Sequence, residues 1–223
     1  AIKLNQVTIT NGTLHYSSQL TGAERVFDNL NLSVTADTLL GPYKIIGDML
    51  YQKTKVSIDM TTGVFDKGMS ASTHITLLPA SGEMPQIRLS GDVNLQTGLD
   101  IEGELSLKQG KLGSLVNIAS LNALDFMNDS IDMTGTLQLK ADQLSLNDIK
   151  AKFGKTGILK GKVLAKFSRK GNPSVMADVE GSGLTITSKP SETYMNVPAE
   201  FQGNFHFKGK NIIWDGRHLE TAD

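Results

Sequence analysis

The sequence predicts a mostly β chain, built as a long, curved and largely antiparallel sheet (a trough or an open sandwich), with one short helix near residues 111–122. Three observations carry this prediction: apolar and polar residues alternate, a glycine-centred strand unit recurs, and one stretch has helical spacing. Hydrophobic residues make up 39% of the 223 residues, which is enough for a folded chain of this size.

Strict alternation of apolar and polar residues is the dominant pattern. Val56-Ser57-Ile58-Asp59-Met60 shows it clearly. A longer example places one set of residues on a single predicted face, broken only by an aspartate: Val26, Asp28, Leu30, Leu32 and Val34. Alternation with a period of two is typical of strands that bury one face and solvate the other.

A unit that reads apolar-x-Gly-x-apolar-x-apolar recurs along the chain. Clear copies occupy 89–95, 101–107, 133–139 and 201–207, and two looser copies surround Gly47 and Gly161. A glycine inside a strand marks a bulge, a bend or a close approach of another backbone, or it merely weakens the strand. The first interpretation predicts these sheet-bending positions: Gly47, Gly91, Gly103, Gly135, Gly161 and Gly203.

The apolar residues in phase with these glycines form the predicted functional face. Because side chains alternate along a strand, they fall on the same side of the sheet as the glycines. This apolar set is Ile45, Met49, Tyr51, Leu89, Val93, Leu95, Ile101, Leu105, Leu107, Met133, Leu137, Leu139, Val163, Phe201, Phe205 and Phe207. Under the lipid-groove function that the family resemblance below implies, it is the predicted lipid-facing set.

The stretch after residue 110 breaks the alternation. Leu112, Leu115, Val116 and Ala119 are spaced at i, i+3, i+4 and i+7, which predicts a helix that could continue towards Met127. We therefore divide the chain into a first β unit (1–110), a helical insertion (111–128) and a second β unit (129–223) that continues the first. Asn11-Gly12, between alternating segments, predicts a hairpin turn.

The two β units show a faint internal repeat. The segment 27–32 (Phe-Asp-Asn-Leu-Asn-Leu) aligns with 146–151 (Leu-Asn-Asp-Ile-Lys-Ala). Two diverged copies of one β unit would explain this alignment.

Composition excludes several function classes. The formal net charge is -1, so there is no basic excess for nucleic-acid binding. No apolar run approaches the roughly 20 residues that span a bilayer, so no membrane span is predicted. The chain has no cysteine, and its four histidines lack ligand spacing. We predict no catalytic residues, no metal, no cofactor and no enzymatic activity.

A further pattern occupies residues 144–154, then 159–163 around Gly161, then Asn172-Pro173 and 177–180; at the N-terminus 9–16, 30–32, Gly41-Pro42 and Gly47 also fit it. With these residues the chain resembles the AsmA-like family of bacterial envelope proteins. The resemblance implies a large periplasmic protein, anchored in the inner membrane and shaped as a β-rich trough, that acts in outer-membrane assembly and phospholipid traffic. The family's N-terminal anchor is absent here, so we expect a section of a larger protein.

Three functions remain open from the sequence. The first is a groove that holds phospholipid or another acyl-chain lipid; about twelve strands would make it roughly 55 Å long. The second is a non-catalytic β-sandwich scaffold that binds other envelope proteins. The third is a hydrolase or carbohydrate-binding domain. Residue patterns alone favour the sandwich, whereas the family resemblance favours the lipid groove.

Overall fold

The computed structural model describes residues 4–17, 24–51, 53–96, 98–118, 125–168, 171–185, 198–208 and 211–221. For 198–208 and 211–221 the description covers the backbone alone.

Thirteen strands form one sheet, in which every strand pairs with its neighbours in sequence. The strands are β1 (Leu4–Ser17), β2 (Glu24–Ala36), β3 (Tyr43–Tyr51), β4 (Thr54–Thr62), β5 (Ser70–Pro79), β6 (Gln86–Asn94), β7 (Asp100–Lys111), β8 (Ser130–Lys140), β9 (Gln143–Phe153), β10 (Gly157–Ser168), β11 (Gly171–Thr185), β12 (Pro198–Lys208) and β13 (Asn211–Thr221). All twelve pairings are antiparallel. The predicted mostly β, largely antiparallel fold is therefore confirmed.

The connections between strands alternate between two rims of the sheet, because consecutive strands run in opposite directions. One rim carries the connections 37–42, 63–69 and 95–99, and we call it the turn rim. The opposite rim carries 80–85, 154–156 and the helical segment after β7, and we call it the helix rim.

The short helix predicted near 111–122 is confirmed. Helix α1 spans Leu112–Ile118, and a 3₁₀ turn spans Asp125–Asn128. The remaining predicted helical positions from Ala119 lie outside the described residues. β7 and β8 pair directly on either side of this segment, so the strands before and after it belong to one sheet.

The predicted hairpin at Asn11-Gly12 is wrong. β1 continues through both residues, and its register against β2 shifts between Ile9 and Gly12. Asn11 has φ 50°, so it inserts an extra residue as a β-bulge. A hairpin turn and this kind of bulge both need a residue with positive φ, and Asn-Gly satisfies either one.

The predicted face of β2 is corrected in its first half. Asn29 has φ 48°, and the register against β3 shifts between Asp28 and Asn31. This bulge reverses the phase of alternation. Phe27 consequently shares the apolar face and stacks on Tyr51 with ring centroids 5.2 Å apart, whereas Val26 is 44% exposed on the other face.

The aligned segments of the internal repeat carry the same irregularity. Asp148, which aligns with Asn29, has φ 51°, and the register between β8 and β9 shifts at this point. In each segment the bulge places apolar residues three apart, rather than two, on one face: Phe27 with Leu30, and Leu146 with Ile149. The alignment thus corresponds to a shared local backbone geometry.

Two clusters of buried side chains lie on the apolar face. The cluster near the helix rim includes Ile131, Phe153 and Leu184, with Leu112 and Leu115 of α1 packed against it. The second cluster lies near the turn rim. Ile131 is only 1% exposed, although all described strands belong to one sheet. Burial to this degree requires that the sheet curve around its apolar face and that rim segments fold over it.

Candidate functional site: the apolar face of the sheet

The strand register brings the predicted apolar residues together on one face. Residues directly opposite each other in an antiparallel pair project to the same side. Such pairs include Met49 with Val56 and Leu89 with Leu105. The opposite face carries polar side chains such as Arg88 and Glu104, both exposed.

Glycines of the recurring unit lie where the neighbouring strand leaves no room for a side chain. A Cβ atom on Gly47 would lie 1.9 Å from the Asn31 carbonyl oxygen, and one on Gly161 would lie 2.2 Å from the Asp178 carbonyl oxygen. Gly161 also has φ +138°, a conformation that other residues rarely adopt. Any side chain at these two positions would collide with the adjacent backbone, so the strands can pair this closely only because both residues are glycine.

The middle strands repeat this close approach. Gly91 lies opposite Gly103, and a Cβ on Gly135 would lie 2.9 Å from the Asn147 carbonyl oxygen. Gly203 pairs with Val179 in the backbone ladder, and its surroundings lie outside the described side chains.

Neighbouring side chains cover part of the predicted lipid-facing set. Seven of its residues are buried: Tyr51, Leu89, Val93, Ile101, Leu107, Met133 and Leu137. All but Tyr51 belong to one of the two clusters. These seven side chains therefore already have apolar partners from the chain itself.

Another part of the set is less covered. Five residues are half-buried on the apolar face: Ile45, Met49, Leu105, Leu139 and Val163. Leu95 lies after the end of β6 in the turn rim and is 41% exposed. The side chains of Phe201, Phe205 and Phe207 lie outside the described part of the structure.

A segment from each rim covers the middle of the face. At the helix rim, Glu83 holds the start of α1. Its carbonyl oxygen accepts hydrogen bonds from Lys111 N–H (3.0 Å) and from Ser114 Oγ (2.9 Å). Its carboxylate lies 2.9 Å from Lys111 Nζ. At the turn rim, Phe65 packs onto the cluster that contains Val93 and Ile101.

Among the side chains that the structure describes, the apolar face is least covered at β1, which forms an edge of the sheet. Its exposed residues there are Val7 (43%), Ile9 (39%), Leu14 (48%) and Tyr16 (52%). They pair with Val34, Leu32, Phe27 and Arg25 of β2. We call Val7, Ile9, Leu14 and Tyr16, with the half-buried Leu30, Leu32, Val34, Ile45 and Met49, the open section.

The sequence prediction missed the β1 part of the open section. Val7, Ile9, Leu14 and Tyr16 alternate with polar residues, but the phase changes at Asn11. With Asn11 interpreted as a hairpin turn, the two halves belong to separate strands. Interpreted as a bulge, the same pattern gives one long apolar edge.

On the polar face of the described strands, the most concave place is a depression lined by charged side chains. The depression is shallow, and these side chains are Glu104, Asp148, Arg88 and Lys150, all of them exposed. Catalytic carboxylates are usually partly buried, because burial adjusts their pKa. Across the described part of the chain, no group of three or more metal-ligating side chains comes together.

No protein-family model matches the sequence, and comparisons with curated proteins and with solved structures find no match. None of the helices in the described ranges has the length and apolar character that a membrane crossing requires.

Proposed function

We propose that the chain is a section of a larger, AsmA-like bacterial envelope protein whose apolar β groove holds or conducts phospholipid between membranes in support of outer-membrane biogenesis. The parent protein is periplasmic and anchored in the inner membrane. The observation that carries the proposal is the open section. There, four large apolar side chains of β1 are 39–52% exposed beside half-buried ones.

The energetics favour an apolar occupant. Removing a Leu, Ile or Val side chain from water contributes roughly 1.5–3 kcal/mol when burial is complete. Val7, Ile9 and Leu14 are 39–48% exposed, so much of that free energy is not gained by the chain alone. Acyl chains that lie on this surface would supply the missing burial.

The shape of the face suits acyl chains better than a compact ligand. Thirteen strands about 4.8 Å apart give a face roughly 58 Å long across the strands. One leaflet of acyl chains is about 15 Å thick, half of a ~30 Å hydrocarbon core. The residues of the open section are almost all aliphatic. At its end, Arg25 lies opposite Tyr16 and projects to the same side of the sheet. The rest of the surface offers hydrocarbon contacts alone.

The buried clusters favour a scaffold as the second candidate. Their side chains pack together over β6 to β9, and Ile131 and Met133 are almost completely buried there. A chain that closed this way along its whole length would be a protein-interaction module with a dry core. We therefore assign lipid binding to the open section and the adjoining half-buried residues. No catalytic role or cofactor is part of the proposal.

Lipid extraction tests the proposal directly. The chain is expressed in a bacterial periplasm, purified without detergent, and its extract is analysed by mass spectrometry for phospholipid per protein. We expect phospholipid with the unaltered chain and a several-fold loss with Met49→Lys, because a half-buried ammonium on the apolar face repels hydrocarbon.

Ile45 and Ile46 offer a matched pair. Ile45 is half-buried on the apolar face, and its neighbour Ile46 is 44% exposed on the polar face. Ile45→Lys should lose lipid, and Ile46→Lys should retain it. Equal lipid content in the two variants, or no lipid in any of them, would favour the scaffold instead.

A further inference from the structure

The depression on the polar face lies over the middle strands, on the side of the sheet that the lipid groove does not use. It spans β6 to β9 and has a volume of about 370 Å³, which is within the range of small-molecule sites. Its lining includes two cationic and two anionic side chains, so the four charges sum to zero: Arg88, Lys150, Glu104 and Asp148.

One row of the depression is basic. Its four residues lie directly opposite one another on successive strands, so their side chains project side by side: Arg88, Ser106, Thr134 and Lys150. The two long cationic side chains lie at the ends, and two short hydroxyl side chains lie between them. The row therefore forms a notch with a positive charge on either side.

The adjacent row is acidic. It lies two residues along each strand from the basic row, at a distance of about 7 Å, and consists of Ser90, Glu104, Thr136 and Asp148. Asp148 reaches this row because of the bulge in β9. With φ 51°, it lies where β9 has one residue more than β8. Bulges are frequent beside binding and active sites, because they redirect a side chain in this way.

The separation of charge continues beyond the depression. On the basic side, the next row contains Lys108 and Lys152, with Asp132 between them. On the acidic side, Asp92 lies directly opposite Glu102. Like charges directly opposite each other destabilise a sheet, so stability alone does not account for this pair. The surrounding charges therefore reinforce the field that the two rows create in the depression.

The charged side chains of the depression do not neutralise one another. Among the residues that the structure describes, Arg88, Glu104, Asp148 and Lys150 take part in no ion pair and no side-chain hydrogen bond. All four are exposed. Their charges are consequently available to a ligand that enters the depression.

These observations select the chemistry of the ligand. The two carboxylates repel a polyanion, and the two cations repel a metal ion. The lining contains no aromatic side chain on which a nucleobase could stack. A neutral molecule with opposite charges about 7 Å apart matches both rows at once. An extended dipeptide has this length, because each residue spans roughly 3.3–3.6 Å.

We propose that the depression binds a small zwitterion of dipeptide length. Its carboxylate lies between Arg88 and Lys150, and its ammonium group lies beside Glu104 and Asp148. The hydroxyl groups of the basic row donate hydrogen bonds to the carboxylate. The inference goes beyond the proposed function, because the site lies on the opposite face from the open section and its test needs no lipid.

Titration with alanyl-alanine tests the proposal at pH 7, where both ends of the dipeptide are charged. Binding is followed by the amide chemical shifts of β6 to β9 in NMR spectra. We expect saturable shifts with a dissociation constant in the millimolar range, because the site is open to water. The N-acetyl form lacks the ammonium group and the C-terminal amide lacks the carboxylate, so each should bind about fivefold more weakly or worse.

Two double variants assign the two ends of the ligand. Arg88→Gln with Lys150→Gln removes the cations, so it should bind alanyl-alanine weakly and show no further loss when the dipeptide is amidated. Glu104→Gln with Asp148→Asn removes the carboxylates, so it should show no further loss when the dipeptide is acetylated. If circular dichroism shows that a double variant is unfolded, Lys150→Gln or Glu104→Gln alone replaces it.

Matched controls come from the same face. Lys140 and Asp59 are exposed there and lie outside the depression. Lys140→Gln and Asp59→Asn change the net charge by the same sign and kind as the test variants, but they should leave the dissociation constant unchanged. A loss of binding in these controls equal to that in the test variants would show that net charge, and not the depression, decides binding.

Three further results would overturn the proposal. One is the absence of shifts in β6 to β9 at millimolar dipeptide. Another is binding that neither acetylation nor amidation weakens. The third is a set of shifts that follows protein concentration and not the dipeptide, which would indicate pairing of this face with a second copy of the chain. Each result is distinct from loss of groove lipid, which the extraction experiment measures separately.

Discussion

Gly91 and Gly103 lie directly opposite each other in the ladder of β6 and β7, and neither position has room for a side chain. A Cβ atom on Gly91 would lie 2.0 Å from the Glu102 carbonyl oxygen, and one on Gly103 would lie 2.3 Å from the Ser90 carbonyl oxygen. The two strands can therefore keep their backbone pairing at this distance only because both residues are glycine.

Replacing Gly103 with alanine should destabilise the chain. The added methyl group would collide with backbone, which cannot rotate away as a side chain can, and overpacking of this kind costs about 1–3 kcal/mol. Urea unfolding followed by circular dichroism measures the change in unfolding free energy. Gly82→Ala is the control, because no atom lies within 4 Å of a Cβ built there. We expect that change to stay within about 0.5 kcal/mol; equal effects at the two sites would contradict the close approach.

Truncating Phe65 should uncover the apolar cluster near the turn rim. Phe65 is 8% exposed and belongs to that cluster. Phe65→Ala should lower the free energy of unfolding by about 3 kcal/mol, the lower end of the range for a buried phenylalanine, because the residue lies at the rim. Val64→Ala, at 59% exposure, should change it by under about 0.5 kcal/mol. Thermal unfolding of the two variants measures the difference. Equal losses of stability in Phe65→Ala and Val64→Ala would contradict the role of Phe65 in covering the cluster.

Asn31 should stabilise the bulges of β1 and β2 together. Its Oδ1 accepts a hydrogen bond from the Asn11 N–H at 3.0 Å, and its Nδ2 donates to the Asn29 carbonyl oxygen at 2.9 Å. Asn31→Ala removes both hydrogen bonds, and because both are exposed to water we expect a loss of about 1 kcal/mol, near the net value of a typical hydrogen bond. Gln6→Ala removes one exposed hydrogen bond to Ser33 and serves as the comparison. A smaller effect at Asn31 than at Gln6 would argue against this role.

The bulge at Asp148 depends on a backbone conformation that β-branched residues resist. With φ 51°, Asp148→Gly should be nearly neutral, whereas Asp148→Val should cost about 1–2 kcal/mol. Lys150→Val, on the same strand and also exposed, should not be destabilising, since valine favours ordinary strand geometry. Chemical denaturation of the three variants tests this order. If valine is tolerated equally at both positions, the bulge does not form.

The strands and the helix can be predicted from the local sequence pattern. The face on which the apolar residues of β1 and β2 lie cannot, because it changes at a bulge in each strand. Alternation at 56–60 and helical spacing from Leu112 are decided by neighbours in sequence, and both predictions are confirmed. At Asn11 and Asn29 the choice between a turn and a bulge depends on whether a partner strand continues alongside. That is a non-local property, and it made the hairpin prediction wrong.

The apolar face could be predicted, but its coverage could not. Alternation places Val93 and Ile45 on the same face, yet Val93 is buried and Ile45 is only half-buried. The difference arises because Phe65 folds back over Val93 from a connection that has no strand or helix pattern. Single-sequence periodicity carries no information about which segments return to cover a sheet.

Labels on the two faces of β1 test the central claim most directly. Ile9 lies on the apolar face opposite Leu32, and Thr8 lies on the other face opposite Ser33. Ile9→Cys and Thr8→Cys are labelled with bimane and given phospholipid that carries a doxyl group in its acyl chain. We predict strong quenching at Ile9 and little at Thr8. Equal quenching at both positions, or none at Ile9, would contradict an acyl-chain site on the open section.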